Sequence, residues 1–212
     1  FLSTDGVRLY RDSGAIWSPW GPIYKFTDPD DSGFTDLNVT TMTKELTKGG
    51  VFLDFPAAAG ANIQGRKKVP DAGITAAYKI TAAFLVTQMT VNNASFGLGW
   101  YDGTKLHEIN IQVQSNTPTI QGQRWNSVTS SAGGDNVINY FIPAQGIVWL
   151  QIEDDTTNRI MRVSSSGRSD DFTQIYSATR TTHLTPTHVF WGGHSINATY
   201  RLGVWLLSWK ET

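Results

Sequence analysis

Apolar residues recur at every second position in short runs along most of the chain, and Gly, Asn and Asp turn signals separate the runs. The last third shows the pattern most plainly, in Trp149-Leu-Gln-Ile-Glu-Asp-Asp155, Arg159-Ile-Met-Arg-Val163, His188-Val-Phe-Trp-Gly-Gly193 and Arg201-Leu-Gly-Val-Trp-Leu-Leu-Ser-Trp209. Upstream, Ile109, Ile111 and Val113 alternate with Asn110 and Gln112, which therefore face the other way. The pattern predicts strands over 38–46, 50–55, 74–86, 94–101, 106–113, 118–125, 136–142, 147–153, 159–164, 172–177, 187–192 and 199–209. Turns are predicted at Lys48-Gly-Gly50, Tyr101-Asp-Gly103, Ala132-Gly-Gly134 and Ser166-Gly167. A helical period lasts more than a few residues only over 71–83, and no segment repeats at a fixed longer interval. The expectation is an all-β fold of two packed antiparallel sheets, a jelly-roll sandwich.

The first 30 residues read differently. Trp17-Ser-Pro-Trp-Gly-Pro22 cannot continue as a helix or a central strand, and Asp28-Pro-Asp-Asp-Ser-Gly33 is a turn cluster. We therefore expect an N-terminal connector over 1–30, with Trp17 and Trp20 as assembly-interface anchors, and a sandwich domain over 31–212. A start at Phe1-Leu-Ser without Met reads as a processed product or an excised piece of a longer polypeptide.

Composition narrows the chemistry. A net charge of -1 with 17% charged residues supplies no basic surplus for phosphate, so nucleic acid is not an expected partner. The absence of cysteine removes disulfides, thiolate metal sites and a thiol nucleophile. Apolar runs such as Ala82-Ala-Phe-Leu-Val86 are far shorter than the ~20 residues of a spanning helix, so no membrane insertion is expected. The sequons at Asn38, Asn93 and Asn197 fit chance occurrence in a Ser/Thr/Asn-rich chain.

No catalytic or metal residue is expected. Of the run Glu153-Asp154-Asp155 only Glu153 and Asp155 share a strand face, and the residues that follow favour a hairpin turn over an acid pair. Asp28, Asp30 and Ser32 open like a calcium loop, yet Val39 stands where the closing Glu belongs. His183, His188 and His194 have spacings that suit no metal face, and no Gly-x-Ser-x-Gly surrounds Ser164, Ser165 or Ser166. Aromatic residues offer more. Trp149, Trp205 and Trp209 lie in apolar strands and are expected in the core; Trp100, Tyr101, Trp125 and Trp191 border Gly or polar turns and are expected to be exposed ligand-stacking candidates.

The runs already quoted, with Val163-Ser-Ser-Ser-Gly167, Thr179-Arg-Thr-Thr-His-Leu-Thr-Pro186 and the closing Leu206-Leu-Ser-Trp-Lys-Glu211, resemble concanavalin A-like lectin/glucanase modules. In particular they resemble those of bacteriophage tail-fibre and other virion structural proteins. Asp5-Gly-Val-Arg-Leu-Tyr-Arg-Asp-Ser-Gly14 looks like the lead-in of such proteins, and Arg66-Lys-Lys68 falls where they carry a basic turn. The chain departs at Gln151, Thr156 and Ser166-Gly167, and it lacks the Glu-x-Asp-x-x-Glu strand of the glucanases. The resemblance implies a non-enzymatic viral structural or tail-fibre module on a virion or extracellular appendage. Its partners would be copies of itself as a homotrimer, other virion proteins and a host-surface glycan, with no cofactor. The alternatives are a carbohydrate-active enzyme or its carbohydrate-binding module, using Glu153 and Asp155, and a purely architectural capsid subunit.

Overall fold

The computed structural model describes residues 10–12, 17–19, 29, 31–47, 49–57, 60, 62–89, 94–114, 117–139, 146–195 and 201–212. Its strands are β1 (Tyr10–Asp12), β2 (Trp17–Pro19), β3 (Thr35–Leu37), β4 (Thr43–Thr47), β5 (Gly50–Phe55), β6 (Gln64–Lys68), β7 (Tyr78–Gln88) and β8 (Ala94–Tyr101). They continue as β9 (Leu106–Gln114), β10 (Thr117–Ser127), β11 (Ser130–Asn139), β12 (Ile147–Asp154), β13 (Asn158–Ser164), β14 (Thr173–Thr179), β15 (His188–Ser195) and β16 (Leu202–Glu211). One 3-10 turn spans Asp31–Gly33. Two seven-stranded antiparallel sheets form the expected sandwich: a front sheet in the order β11-β10-β9-β8-β15-β6-β3 and a back sheet in the order β14-β13-β12-β7-β16-β5-β4.

Alternation sets which face meets which. On β7 the inward set is Tyr78, Ile80, Ala82, Phe84 and Val86, and on β8 it is Phe96, Leu98 and Trp100. The two sets share one apolar cluster with Ile109, Ile111, Leu150, Ile152, Trp191 and Leu206. Phe84 of the back sheet reaches both Phe96 and Trp191 of the front sheet, with ring centroids 5.5 and 5.9 Å apart.

The structure departs from the sequence reading at four places. The strand expected over 38–46 is present only from Thr43, as β4: β3 stops at Leu37, and the chain between them bends so that the N–H groups of Thr40, Thr41 and Met42 donate to Gln64 Oε1 (2.7, 2.9 and 3.0 Å). Arg66-Lys-Lys68 is strand β6 and not a turn, because β15 and β3 flank it. Arg66 is buried there, and its guanidinium donates to Asp31 (2.8 and 3.1 Å), to Asp36 and to the Phe34 carbonyl. The helical period at 71–83 gives turns over 71–76 and then β7, whose strand alternation prevails from Tyr78. Ala132-Gly-Gly134 lies within β11, where pairing with β10 is bulged.

The connector contributes the β1–β2 hairpin. The side chain of Trp17 and all of Trp20 lie outside the described residues. Trp149 and Trp209 are buried, whereas Trp205 is half-buried and packs on Phe52 at 4.9 Å. The turn after β13 lies across Trp149: Gly167 has φ 71°, and a Cβ there would strike the indole. Because Phe84 joins the sheets, Phe84→Ala should destabilise the chain by about 3–5 kcal/mol, read as a lower denaturant midpoint. An unchanged midpoint would contradict this packing.

Candidate functional site

The alternation that turns Ile109 and Ile111 inward turns Leu106, Glu108, Asn110 and Gln112 onto the outer face of the front sheet. Register extends this face across the neighbours: Gln121 and Gln123 lie beside Asn110 and Glu108 on β10, and Gly97 and Gly99 lie beside them on β8. Gly192 and Phe190 follow on β15, and Ser95 and His194 are paired in the next row. Glycine therefore occupies the middle of the face. A Cβ at Gly97 would strike the Glu108 carboxyl and a Cβ at Gly99 the backbone of β9, so the floor accepts no side chain.

The bare floor lets distant side chains meet. Trp125 on β10 and His194 on β15 are three strands apart, yet their rings meet edge to face at 5.3 Å. The Trp125 indole Nε1–H donates to Glu108 Oε1 (2.9 Å), and so does Asn110 Nδ2 (3.0 Å). Beside them an apolar group of Leu37, Ile63, Leu106, Trp125 and Phe190 packs with half-buried Tyr101 and Val128. The β10–β11 turn folds over this group: the Ile63 N–H donates to the Val128 carbonyl at 2.8 Å, although β6 and β10 are four places apart in the sheet.

The result is a buried polar recess. Ser95, Glu108, Asn110, Gln121, Gln123 and His194 are all buried. Gln123 is held by Ser131 Oγ (2.7 Å), but Ser95 Oγ, Glu108 Oε2, Asn110 Oδ1 and His194 Nδ1 find no hydrogen-bond partner among the described residues. Buried polar atoms are rarely left open, and four on three adjacent strands mark a place built for something else to bind. Burial pushes the Glu108 carboxyl up to about 8, against the weaker opposing pull of the Trp125 and Asn110 hydrogen bonds. Burial likewise brings His194 down to about 4. At neutral pH the recess therefore presents amides, a hydroxyl, a neutral imidazole and a protonated carboxyl, with no ionic charge. Glu108 is the one buried carboxyl on this face among the described residues.

The residues singled out from sequence divide between the two faces. Trp125 and Tyr101 are on the outer face, but Trp125 lacks the expected exposure, since it is buried among Leu37, Leu106 and Phe190, and Tyr101 is half-buried at the rim; the Tyr101 hydroxyl donates to the Gly103 carbonyl (2.6 Å) and Lys67 lies over the ring at 5.0 Å. Trp100 and Trp191 do not have the expected exposure. Both are 0–1% exposed in the inter-sheet core, where Trp100 Nε1–H donates to the Tyr78 hydroxyl (2.9 Å), because alternation from Phe96 and Val189 carries them inward. Glu153 is paired with Arg162 at 2.5 Å, and Asp155 accepts from the N–H groups of Asn158 (2.5 Å) and Thr157 (2.8 Å), which lower its pKa. They form a hairpin and its brace. Asp31 of the calcium-like run binds Arg66 and Lys44, while Asp28 and Asp30 lie outside the described residues. His183 contacts the Trp125 carbonyl (3.0 Å) and His188 lies against Tyr101, each away from His194. Sequence reading passed over Glu108, Ser95, Gln121 and Gln123; the signal was the polar-or-glycine residue at every second place of three successive strands.

Comparison with solved structures places this architecture. A functionally unknown protein from Saccharomyces cerevisiae superposes with a TM-score of 0.64 at 13% identity, over 87% of this chain and 98% of that one. Lectin I-B4 from Griffonia simplicifolia, in its metal-free form, superposes with a TM-score of 0.51 at 14% identity, over 86% and 93%. The fold is a concanavalin A-like sandwich. A GH43 glycoside hydrolase shares it at a TM-score of 0.56 and 18% identity, over 87% of this chain but only 37% of its own. No protein-family model and no curated protein matches the chain. Both lectins and enzymes thus carry this sandwich, and at these identities the likeness concerns the fold alone.

The buried carboxyl makes a pH prediction. Glu108 has an ordinary value of 4.5 and a folded value of about 8, so the unfolded chain releases this proton first. Its contribution to stability is complete below about pH 4.5 and is lost as pH rises through about 8. His194 acts oppositely, losing stability as pH falls from 6.5 towards about 4, so above pH 6.5 the Glu108 effect stands alone. Denaturant midpoints should fall between about pH 6.5 and 8 in the natural chain and stay level in Glu108→Gln.

Proposed function

We propose that this chain is a non-enzymatic glycan-binding module whose ligand is a neutral sugar held over the glycine floor of the front sheet. The observation that carries the reading is the set of four buried polar atoms without hydrogen-bond partners among the described residues, Ser95 Oγ, Glu108 Oε2, Asn110 Oδ1 and His194 Nδ1, gathered beside the glycines of β8 and β15. Sugar hydroxyls both donate and accept, which suits an uncharged array of amide, hydroxyl, imidazole and protonated carboxyl. Half-buried Tyr101 supplies an aromatic surface at the rim. The lone buried carboxyl speaks for binding over hydrolysis.

The finer part of the proposal is a viral setting: a tail-fibre or similar virion appendage, assembled as a homotrimer and contacting host-surface glycan. Its support is the sequence resemblance given above. Trimeric display would convert weak single-site binding into useful avidity.

Glycan-array and calorimetric titration of the intact chain test the reading. A neutral oligosaccharide should bind, and Asn110→Ala and Ser95→Ala should each weaken it about tenfold, the scale of one lost buried hydrogen bond. Binding that ignores both variants would refute the site. Sugar release from a polysaccharide panel that disappears in Glu108→Gln would make the chain an enzyme instead. Light scattering should give three times the 23.4 kDa chain mass; a strict monomer counts against the assembly.

A further inference from the structure

The apolar layer between the sheets ends in a polar one. On the back sheet Tyr78, Asp154 and Arg159 lie abreast on β7, β12 and β13. On the front sheet Trp100, His107 and Arg124 lie abreast on β8, β9 and β10. The two rows face each other: Trp100 reaches Tyr78, the Arg159 guanidinium stacks on the Trp100 ring at 5.1 Å, and the His107 ring meets Tyr176 at 4.7 Å.

Charge in this layer does not balance. Arg180 Nε–H donates to Asp154 Oδ2 (2.9 Å), and Asp154 Oδ1 also accepts from the Thr156 N–H (2.9 Å). Arg124 pairs with Asp135 at 2.8 Å. Both carboxylates are thereby engaged, and Arg159, which has Asp154 near it only as an unbonded charge, is left as a wholly buried cation whose one hydrogen bond among the described residues runs from Nη2 to the Thr182 carbonyl. Its Nε and Nη1 have no hydrogen-bond partner among the described residues, nor has Nδ1 of wholly buried His107, whose Nε2 lies 4.0 Å from Asp135 Oδ2. Lys105 adds positive charge at the rim, where its Nζ donates to the His183 carbonyl (3.2 Å). A buried unpaired guanidinium is strongly unfavourable unless a counter-charge accompanies it.

The geometry points to a binding site for a small monovalent anion, of halide size, between the free N–H groups of Arg159 and Nδ1–H of His107, the ring nitrogen turned from Asp135. The anion supplies the missing negative charge and accepts from donors that otherwise have none. His107 contributes as a neutral ring, since burial, and then the nearby Arg159, hold its pKa well below the ordinary value. This site is on the opposite side of the front sheet from the glycan recess and does not depend on it.

Melting of the full chain in sodium bromide against sodium sulfate at equal ionic strength tests the site. The melting temperature should rise saturably with bromide in the natural chain, as it does for any ligand of the folded state, and lose that response in Arg159→Met. Crystals grown in bromide should show an anomalous peak beside Arg159 and His107, which decides the matter should Arg159→Met fail to fold. Equal melting in the two salts, or a water without anomalous signal at that place, would overturn the assignment.

Discussion

The contact of Phe84 with Phe96 and Trp191 joins the two sheets, and the other features of the molecule follow from keeping that interface apolar. A strand offers its side chains to two faces in strict alternation. Once Phe96, Leu98, Ile109, Ile111 and Ile120 are committed inward, Ser95, Gly97, Gly99, Glu108, Asn110, Gln121 and Gln123 must face out. A shift of one residue in register would bring Glu108 and Asn110 into the core, at a cost no hydrogen bond there would offset. The recess is thus the reverse side of the core.

Two forms of burial result. In the outer recess the polar groups lose water without gaining charge, since Glu108 keeps its proton and His194 stays neutral. In the end layer the charges remain, and Asp154 and Asp135 each take an arginine while Arg159 takes none. The first arrangement matches an uncharged, hydroxyl-rich ligand and the second an anion. Proximity within one small domain does not mix them, because the apolar faces of β8 and β9 stand between.

Glycine has a specific role in this architecture. Gly97, Gly99 and Gly192 give three neighbouring positions no side chain, and Trp125 and His194 meet from strands three places apart. The β10–β11 turn and residue Ile63 then seal the apolar side of the face. A similar sandwich occurs in a lectin and within a glycoside hydrolase, so the fold alone does not decide its use.

The sequence by itself determined the all-β class, the two-sheet sandwich and most strands from β7 onward, because period-two alternation is written locally in residues such as Ile109, Ile111 and Val113. It also showed that Asn110 and Gln112 face away from that set. Tertiary structure alone decided the rest. Strand β6, Gln64-Gly-Arg-Lys-Lys68, has no apolar alternation and is a strand because β15 and β3 enclose it and Asp31 and Asp36 neutralise Arg66. Trp100 and Trp191 border glycines in sequence, yet strand phase carries both rings into the core. The recess was illegible for a related reason: its open atoms belong to residues 95, 108, 110 and 194, and only sheet order and register bring β8, β9 and β15 side by side. Local spacing fixes which face a side chain takes, whereas its neighbours on that face depend on pairings between distant parts of the chain.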